Sequence, residues 1–490
     1  MFRGKLYASL STGAMALAGL LLLVYVALKA GSTSFTHDES FTYLDYVHQG
    51  FMDIISYKTP YTNNHILNTV LMKYAEELWG SSELVLRLPN IFACALYLAY
   101  AYRLLRSFPL VLMLPAFLCV FCHTQFCDFF SLARGYGLSF AFMLVSLYHL
   151  LQYLEKADNK HLILFNAGAL LAILANFSLI NFYLSALFAY NLILYYRSRL
   201  QQGTHFLFLR LNRIHMWSLL VFIAILYEPI RRISKQGMLN FGGKEGFFEN
   251  TFGSLVGGAF YETPLSRWGF ILIVCVMTAV LIATGVLIGW HLLKKNHHFF
   301  NENQGLCLTW LILMSLAALS YLQHWLIHND FYAGRFGLFV YPLFILHVCY
   351  LLRLLYQAGG VPYAAILTYG LGVALAVLFF MNVNLRYYKD WRYDAGTRQA
   401  MLSLVKDQAP QTPDRSVELG INWLFEPTTN FYRYTWNLHW LKKTHRRGAG
   451  SHSQYYYLLR TDTNAWLGNG KPLLFSSDDA QSFLVRNHAE

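Results

Sequence analysis

Two adjacent carboxylates, Asp38 and Glu39, sit in the stretch FTHDESFT at residues 35–42, immediately after an apolar run from Leu6 to Leu28. Acids placed where a chain has just left hydrocarbon are costly unless they pair or face water. Neighbouring residues on a helix point about 100° apart, so one acid can face a cavity while the scaffold holds the other. A simpler reading makes them part of a helix cap. Thr36 or Asp38 would then be the N-cap of an interfacial helix, with carboxylates favoured near its dipole. Further along, Asn63, Asn64 and His65 open an amphipathic stretch, and Ser82, Glu83, Arg87, Leu88 and Pro89 enter the second apolar block. Asp128, Arg134 and Tyr136 stand at the outer end of the fourth block, and His328, Asp330 and Arg335 at the outer end of the tenth. Acids, histidines and arginines thus recur at one membrane face, where such residues pair or line a polar cavity. A carboxylate there can accept a proton, and a guanidinium fork can hold two phosphate oxygens. Structural readings compete: Arg87 and Arg134 snorkelling to headgroups, His65 bonded to Asn63 or Asn64, Arg335 paired with Asp330, and packing roles for His123, Asp128 and His328.

The elements that must position these residues are membrane helices. Of 490 residues, 56% are hydrophobic and only 13% charged, which excludes an ordinary soluble chain. About eleven blocks approach bilayer length: residues 6–29, 84–105, 108–126, 136–154, 162–178, 181–197, 215–230, 268–293, 306–326, 337–355 and 363–384. The first is too long for a signal-peptide core and is read as an anchored helix. The formal charge of +12 fits membrane topology and anionic headgroups. No basic stripe interleaved with aromatics points to nucleic acid. Arg3, Lys5, Arg103, Arg106, Lys156, Lys160, Arg197, Arg199, Arg210, Arg213, Lys294 and Lys295 fall on one side, which makes the N-terminus cytoplasmic. The odd number of spans puts the C-terminus outside. The seven cysteines lie in or beside apolar blocks and read as packing residues.

Three outer segments follow. Residues 30–83 contain interfacial helices, residues 231–267 form a loop rich in Gly and Phe, and residues 386–490 are polar enough for a periplasmic soluble domain. In that last domain SVELGI, QYYYLLR and PLLFSS are expected strands. PTTNFYRYTWNLHWLKK is an expected helix, and DDAQSFLVRN an expected last helix capped by Ser477 or Asp478. The expected fold is mainly α: a polytopic membrane domain over 1–385 and a small C-terminal α/β extracytoplasmic domain over 386–490.

The acidic pair, NNHILN, SSELVLRLPN and LARGYGL together resemble the GT-C class of membrane glycosyltransferases. The closer likeness is to the branch of protein O-mannosyltransferases and lipid A aminoarabinose transferases. It covers about residues 1–150 well and extends through GRFGLFVYPLF; Ile66 departs from the pattern, standing where proline is frequent. The resemblance implies transfer of a sugar from a polyprenyl-phosphate-linked donor to an extracytoplasmic acceptor (glycolipid, polysaccharide or protein), with inversion. It implies Asp38 as general base with Glu39 orienting or assisting. Desolvation would raise the pKa of Asp38. His65, Arg87, Arg134 and Arg335 would bind the donor phosphate, with Asn64, Tyr136, Asp128, His328 and Asp330 in support. No cofactor is expected, because the monosaccharide branch resembles metal-independent enzymes; a divalent metal belongs to the oligosaccharide-transferring branch. Compact loops suggest a bacterial inner membrane. The rival readings are a transporter or flippase of a lipid-linked substrate and a non-catalytic envelope scaffold. A transporter would not need a long first outer loop with interfacial helices or a hundred-residue outer domain; a scaffold would use the tail as its binding module.

Overall fold

The computed structural model describes residues 2–200, 213–237, 242–408, 416–446, 453–462 and 472–487. Arg210 of the expected cytoplasmic loop lies outside the described residues. Among those described, nine helices are long and apolar enough to cross a membrane: Leu10–Ser32, Glu83–Leu105, Gly135–Lys156, Leu179–Arg197, Arg213–Lys235, Arg267–Leu293, Gln304–Ile327, Val340–Gln357 and Val361–Asn382. Two expected spans are shorter helices, Leu110–Phe121 and Asn159–Ala175. Both fall below the length that a straight crossing requires. His123 ends the first by capping the next turn, its ring accepting the Phe126 N–H at 3.1 Å. Asn176 ends the second in extended backbone. Lipid-facing residues such as Trp268, Leu272 and Phe380 are exposed, as an apolar surrounding allows.

The first loop is built from short helices. His37–Thr42 starts with a capping box: Thr36 accepts from the Glu39 N–H, and the Glu39 carboxylate accepts from the Thr36 N–H. Thr36, not Asp38, is therefore the cap. A π-helical turn at Tyr43–Val47 and the helix Phe51–Ile55 follow, and Ile66–Trp79 matches the second expected interfacial helix. That helix is not merely interfacial. Its buried Asn68 donates to the Ala133 carbonyl at 2.9 Å and accepts from Asn90 at 2.8 Å, which ties it to the membrane bundle.

The C-terminal segment carries a four-stranded sheet in the order β1-β2-β4-β3, where β1 is Leu419–Ile421, β2 Tyr455–Leu459, β3 Leu473–Ser477 and β4 Ser482–Arg486. β1 and β2 are parallel; β4 runs antiparallel to both β2 and β3. The expected last helix is thus β4. Ser477 accepts from Ala480 N–H at 3.1 Å and Gln481 takes a φ of 49°, so the acidic run makes a hairpin turn. Pairing of Phe483, Leu484 and Val485 with β2 overrides the helical reading of their neighbours. The helix expected over 427–443 ends early, at Thr435, where Asn437 adopts a φ of 53°.

This segment does not stand apart from the first loop. Phe431 stacks on Phe35 with ring centroids 4.2 Å apart, and Tyr43, Val47 and Leu86 share their core with Met401, Leu404 and Tyr432.

Candidate active site

The capping box that starts His37–Thr42 decides what the two acids can do. Glu39, at the third helical position, points into the protein and is fully buried. Its Oε1 accepts from Arg87 Nε at 2.8 Å and its Oε2 from Arg87 Nη2 at 2.7 Å. Glu39 also accepts the Ala133 N–H at 2.5 Å. Arg87 spends its remaining donors on the carbonyls of Ala30, Thr33 and Ser34 at 2.7–3.0 Å. The pair welds the end of the first span, the start of the acid-bearing helix and the residue before Arg134. It does not line the cavity, so Glu39 and Arg87 stand as scaffold, the latter away from any phosphate.

Asp38 diverges from Glu39 toward Arg134 and Arg335. Its Oδ2 lies 3.5 Å from Arg134 Nη2 and 3.2 Å from Arg335 Nη2, without a well-aligned hydrogen bond to either. Arg134 precedes the span Gly135–Lys156 and also donates to Thr42 Oγ1 at 3.2 Å and the Asn63 carbonyl at 3.3 Å. Arg335 sits over the Trp391 ring at 4.9 Å and shares the cavity wall with Tyr136. Burial pushes Asp38 up, but Arg134 and Arg335 outweigh it, and the carboxyl lies below its ordinary value. The expected upward shift is thereby corrected: hydrocarbon alone would raise this acid, and two guanidinium groups reverse the sign.

His65 precedes Ile66–Trp79 in extended backbone. Its Nδ1 lies 2.8 Å from the Ala175 carbonyl and therefore carries the hydrogen. Burial, then Arg134, hold the ring below its ordinary pKa. The neutral imidazole leaves Nε2 as an acceptor. Gly135 makes this approach possible, since a Cβ there would overlap the Ala175 carbonyl and the His65 ring.

A cavity of about 750 Å³ opens here, its wall including Asn64, His65, Arg134, Tyr136, Asp330 and Arg335. Asp38 stands just behind the two arginines, its side chain retaining 12% exposure. The far wall is apolar, with Leu174, Phe177, Ile180, Ile230, Ile233 and Ile327. Four buried polar atoms at this point make no hydrogen bond: Asp38 Oδ2, His65 Nε2, Arg134 Nε and Arg335 Nε. Such groups are uncommon in folded proteins and ask for a partner.

Two supporting residues fall elsewhere. Asp128 is buried against Lys29 Nζ at 2.5 Å and accepts from Tyr261 Oη at 2.6 Å. His328 is exposed at the end of Gln304–Ile327. Neither lines the cavity. Sequence reasoning missed Asn181 and Gln323, which bond each other at 2.7 Å on the wall and announce themselves only as polar residues inside apolar blocks. It also missed Trp391, for which no local signal exists. Among the described residues no group of three or more His, Cys, Asp or Glu converges as metal ligands.

No family model matches this chain, and no curated protein sequence matches it. Solved structures do. ArnT from Cupriavidus metallidurans bound to undecaprenyl phosphate superposes with a TM-score of 0.53, at 12% identity over 98% of both chains. This is the GT-C membrane fold. The same protein in its apo state gives 0.44 at 13% identity over 97% of this chain and 98% of the other. An oligosaccharyltransferase of Archaeoglobus fulgidus, in complex with Zn and sulfate, gives 0.40 at 12% identity over 90% of this chain and 68% of its own.

Proposed function

We propose that this protein is a glycosyltransferase of a bacterial inner membrane that moves a sugar from a polyprenyl-phosphate-linked donor to an extracytoplasmic acceptor, a glycolipid, polysaccharide or protein. The observation that carries this reading is that four buried polar atoms without a hydrogen bond gather at a cavity with one charged and one apolar wall. A phosphate suits Arg134 and Arg335, and an isoprenoid chain suits the isoleucines and Phe177. The fold supports it, since the matching ArnT structure holds undecaprenyl phosphate.

The chemistry follows from the charges. The acceptor hydroxyl gives its proton to Asp38 as its oxygen attacks the anomeric carbon. The bond from that carbon to the phosphate oxygen breaks, and the electron pair leaves on the phosphate, which the arginines stabilise. A single displacement inverts the anomeric centre. His65 Nε2 accepts a hydrogen bond from a sugar hydroxyl rather than contacting phosphate. Glu39 and Arg87 position the helix that bears Asp38.

Replacing Asp38 by Asn tests this. Sugar transfer in membranes should fall on the order of 10²–10⁴-fold, the usual worth of a general base. Comparative mass spectrometry of envelope glycans with and without the protein identifies sugar and acceptor. Unchanged transfer in the variant ends the assignment, and a lipid-linked substrate that crosses the bilayer only when the wild-type protein is present would favour a transporter.

A further inference from the structure

A second cavity, of about 320 Å³, lies at the opposite ends of the membrane helices. Four cations line it: Arg103 in the last turn of the span Glu83–Leu105 and Arg106 just after it, Lys156 at the end of Gly135–Lys156, and Arg353 near the end of Val340–Gln357. Glu155 and Glu302 also line it, so the cations outnumber the acids four to two. Glu155 accepts from Gln152 at 3.0 Å, and Glu302 lies 3.2 Å from His298. Among the described residues none of the four cations forms an ion pair.

The arginines are held in place without being neutralised. Arg353 donates to Ser107 Oγ at 3.1 Å and lies over the Phe108 ring at 5.4 Å. Arg103 lies over the Tyr100 ring at 4.7 Å. The 24-residue helix Gln304–Ile327 also begins at this cavity, and its N-cap, Asn303, makes no side-chain cap bond. Its first-turn N–H groups and positive dipole end therefore add to the cations. The exposed apolar residues Leu110, Val111 and Leu355 come within four residues of the lining residues Ser107 and Arg353 in the chain.

A surface-open cavity in which four cations outnumber two carboxylates, close in the chain to exposed apolar residues, matches a phosphate ester attached to acyl chains. We propose that this cavity binds the phosphate-bearing headgroup of an anionic phospholipid in the leaflet opposite the Asp38 cavity. The basic residues here then form a built site, beyond the diffuse positive charge that sets topology.

Native mass spectrometry of the full chain in detergent, titrated with phosphatidylglycerol or phosphatidylcholine, tests the proposal. The pair R103Q and R353Q should lower retained phosphatidylglycerol on the order of 30-fold, since each basic contact contributes about 1 kcal/mol. The charge-matched pair K294Q and K295Q, on exposed lysines outside the cavity, should change it less than about twofold. The charge-keeping pair R103K and R353K should retain more lipid than the glutamine pair, because lysine still binds phosphate as a point charge. Excess inorganic phosphate should not displace the lipid. Equal losses in both neutralised pairs would mean diffuse surface attraction and overturn the proposal. Equal losses in the lysine and glutamine pairs would mean packing alone and also overturn it. Displacement by inorganic phosphate would make this a site for the free anion and overturn the lipid assignment.

Discussion

Asp38 is a weak base in the empty cavity because Arg134 and Arg335 hold its carboxyl below the ordinary value of about 3.9. The same guanidinium groups are those a donor phosphate would engage. A bound phosphate shares their charge, so the pull on Asp38 relaxes and its proton affinity rises when the donor arrives. The base is thus activated by the substrate that needs it. This predicts two acid limbs. The limb of kcat/KM, which reports the free enzyme, should fall below pH 4. The limb of kcat, which reports the donor complex, should lie at higher pH. Replacing Arg335 by Met removes one cation and should bring the two limbs together; pH profiles of membrane-reconstituted transfer would show this. Burial and Arg134 hold His65 well below its ordinary value, so any limb it adds lies on the acid side of the usual histidine range. Linkage has the same sign: the pairing of Asp38 stabilises the fold above the ordinary carboxyl value and is lost as pH falls through the depressed one.

The helix His37–Thr42 is too short to be stable alone, and its orientation comes from outside. Its first N–H, from His37, donates to Asp394 Oδ2 at 2.7 Å, while Asp394 Oδ1 accepts from Thr428 at 2.9 Å. Tyr432 Oη accepts the Phe35 N–H at 2.9 Å just before it. The C-terminal segment therefore caps the element that carries the proposed base. Replacing Asp394 by Ala should cost roughly 0.5–2 kcal/mol, as for a lost N-cap, seen as a lowered thermal midpoint. It should also reduce kcat with little change in donor KM, since Arg134 and Arg335 stay in place; a loss confined to stability would deny the segment a positioning role. This coupling marks the limit of what the sequence discloses. The apolar blocks locate the long helices, because burial in lipid leaves a run of hydrophobic residues that nothing else requires. The strands QYYYLLR and PLLFSS are legible from their aromatic and apolar content. The strand at Ser482–Arg486 is not, because its partner lies far away in the chain and an acidic turn precedes it. Asp38 and Glu39 are visible as a pair, but their division of labour is not. That rests on Arg87 reaching back to Glu39 and on Arg335 arriving from the connection between Gln304–Ile327 and Val340–Gln357. Trp391 under Arg335 is invisible for the same reason.

At the scale of the molecule the two cavities sit at opposite ends of the helices, and their walls differ in chemistry. The Asp38 cavity joins paired charges to an apolar wall. The other gathers basic side chains from span ends. From the excess of Lys and Arg on short loops at that second end we infer, under the positive-inside rule, that it lies at the cytoplasmic face. The Asp38 cavity then faces outward, where nucleotide sugars are absent and a lipid-linked donor is needed. Orientation therefore carries the donor assignment, and it can be measured directly. Cys275 is the exposed cysteine, on a membrane helix, and the other six are buried, so an impermeant maleimide has little to label in the native chain. A cysteine at Glu418, exposed in the C-terminal segment, should react in intact cells. One at Lys294, exposed at the opposite end, should react only after the membrane is permeabilised. The reverse pattern would turn the Asp38 cavity toward the cytoplasm. A soluble nucleotide sugar could then reach Arg134 and Arg335, and the apolar wall would need a different occupant from an isoprenoid chain.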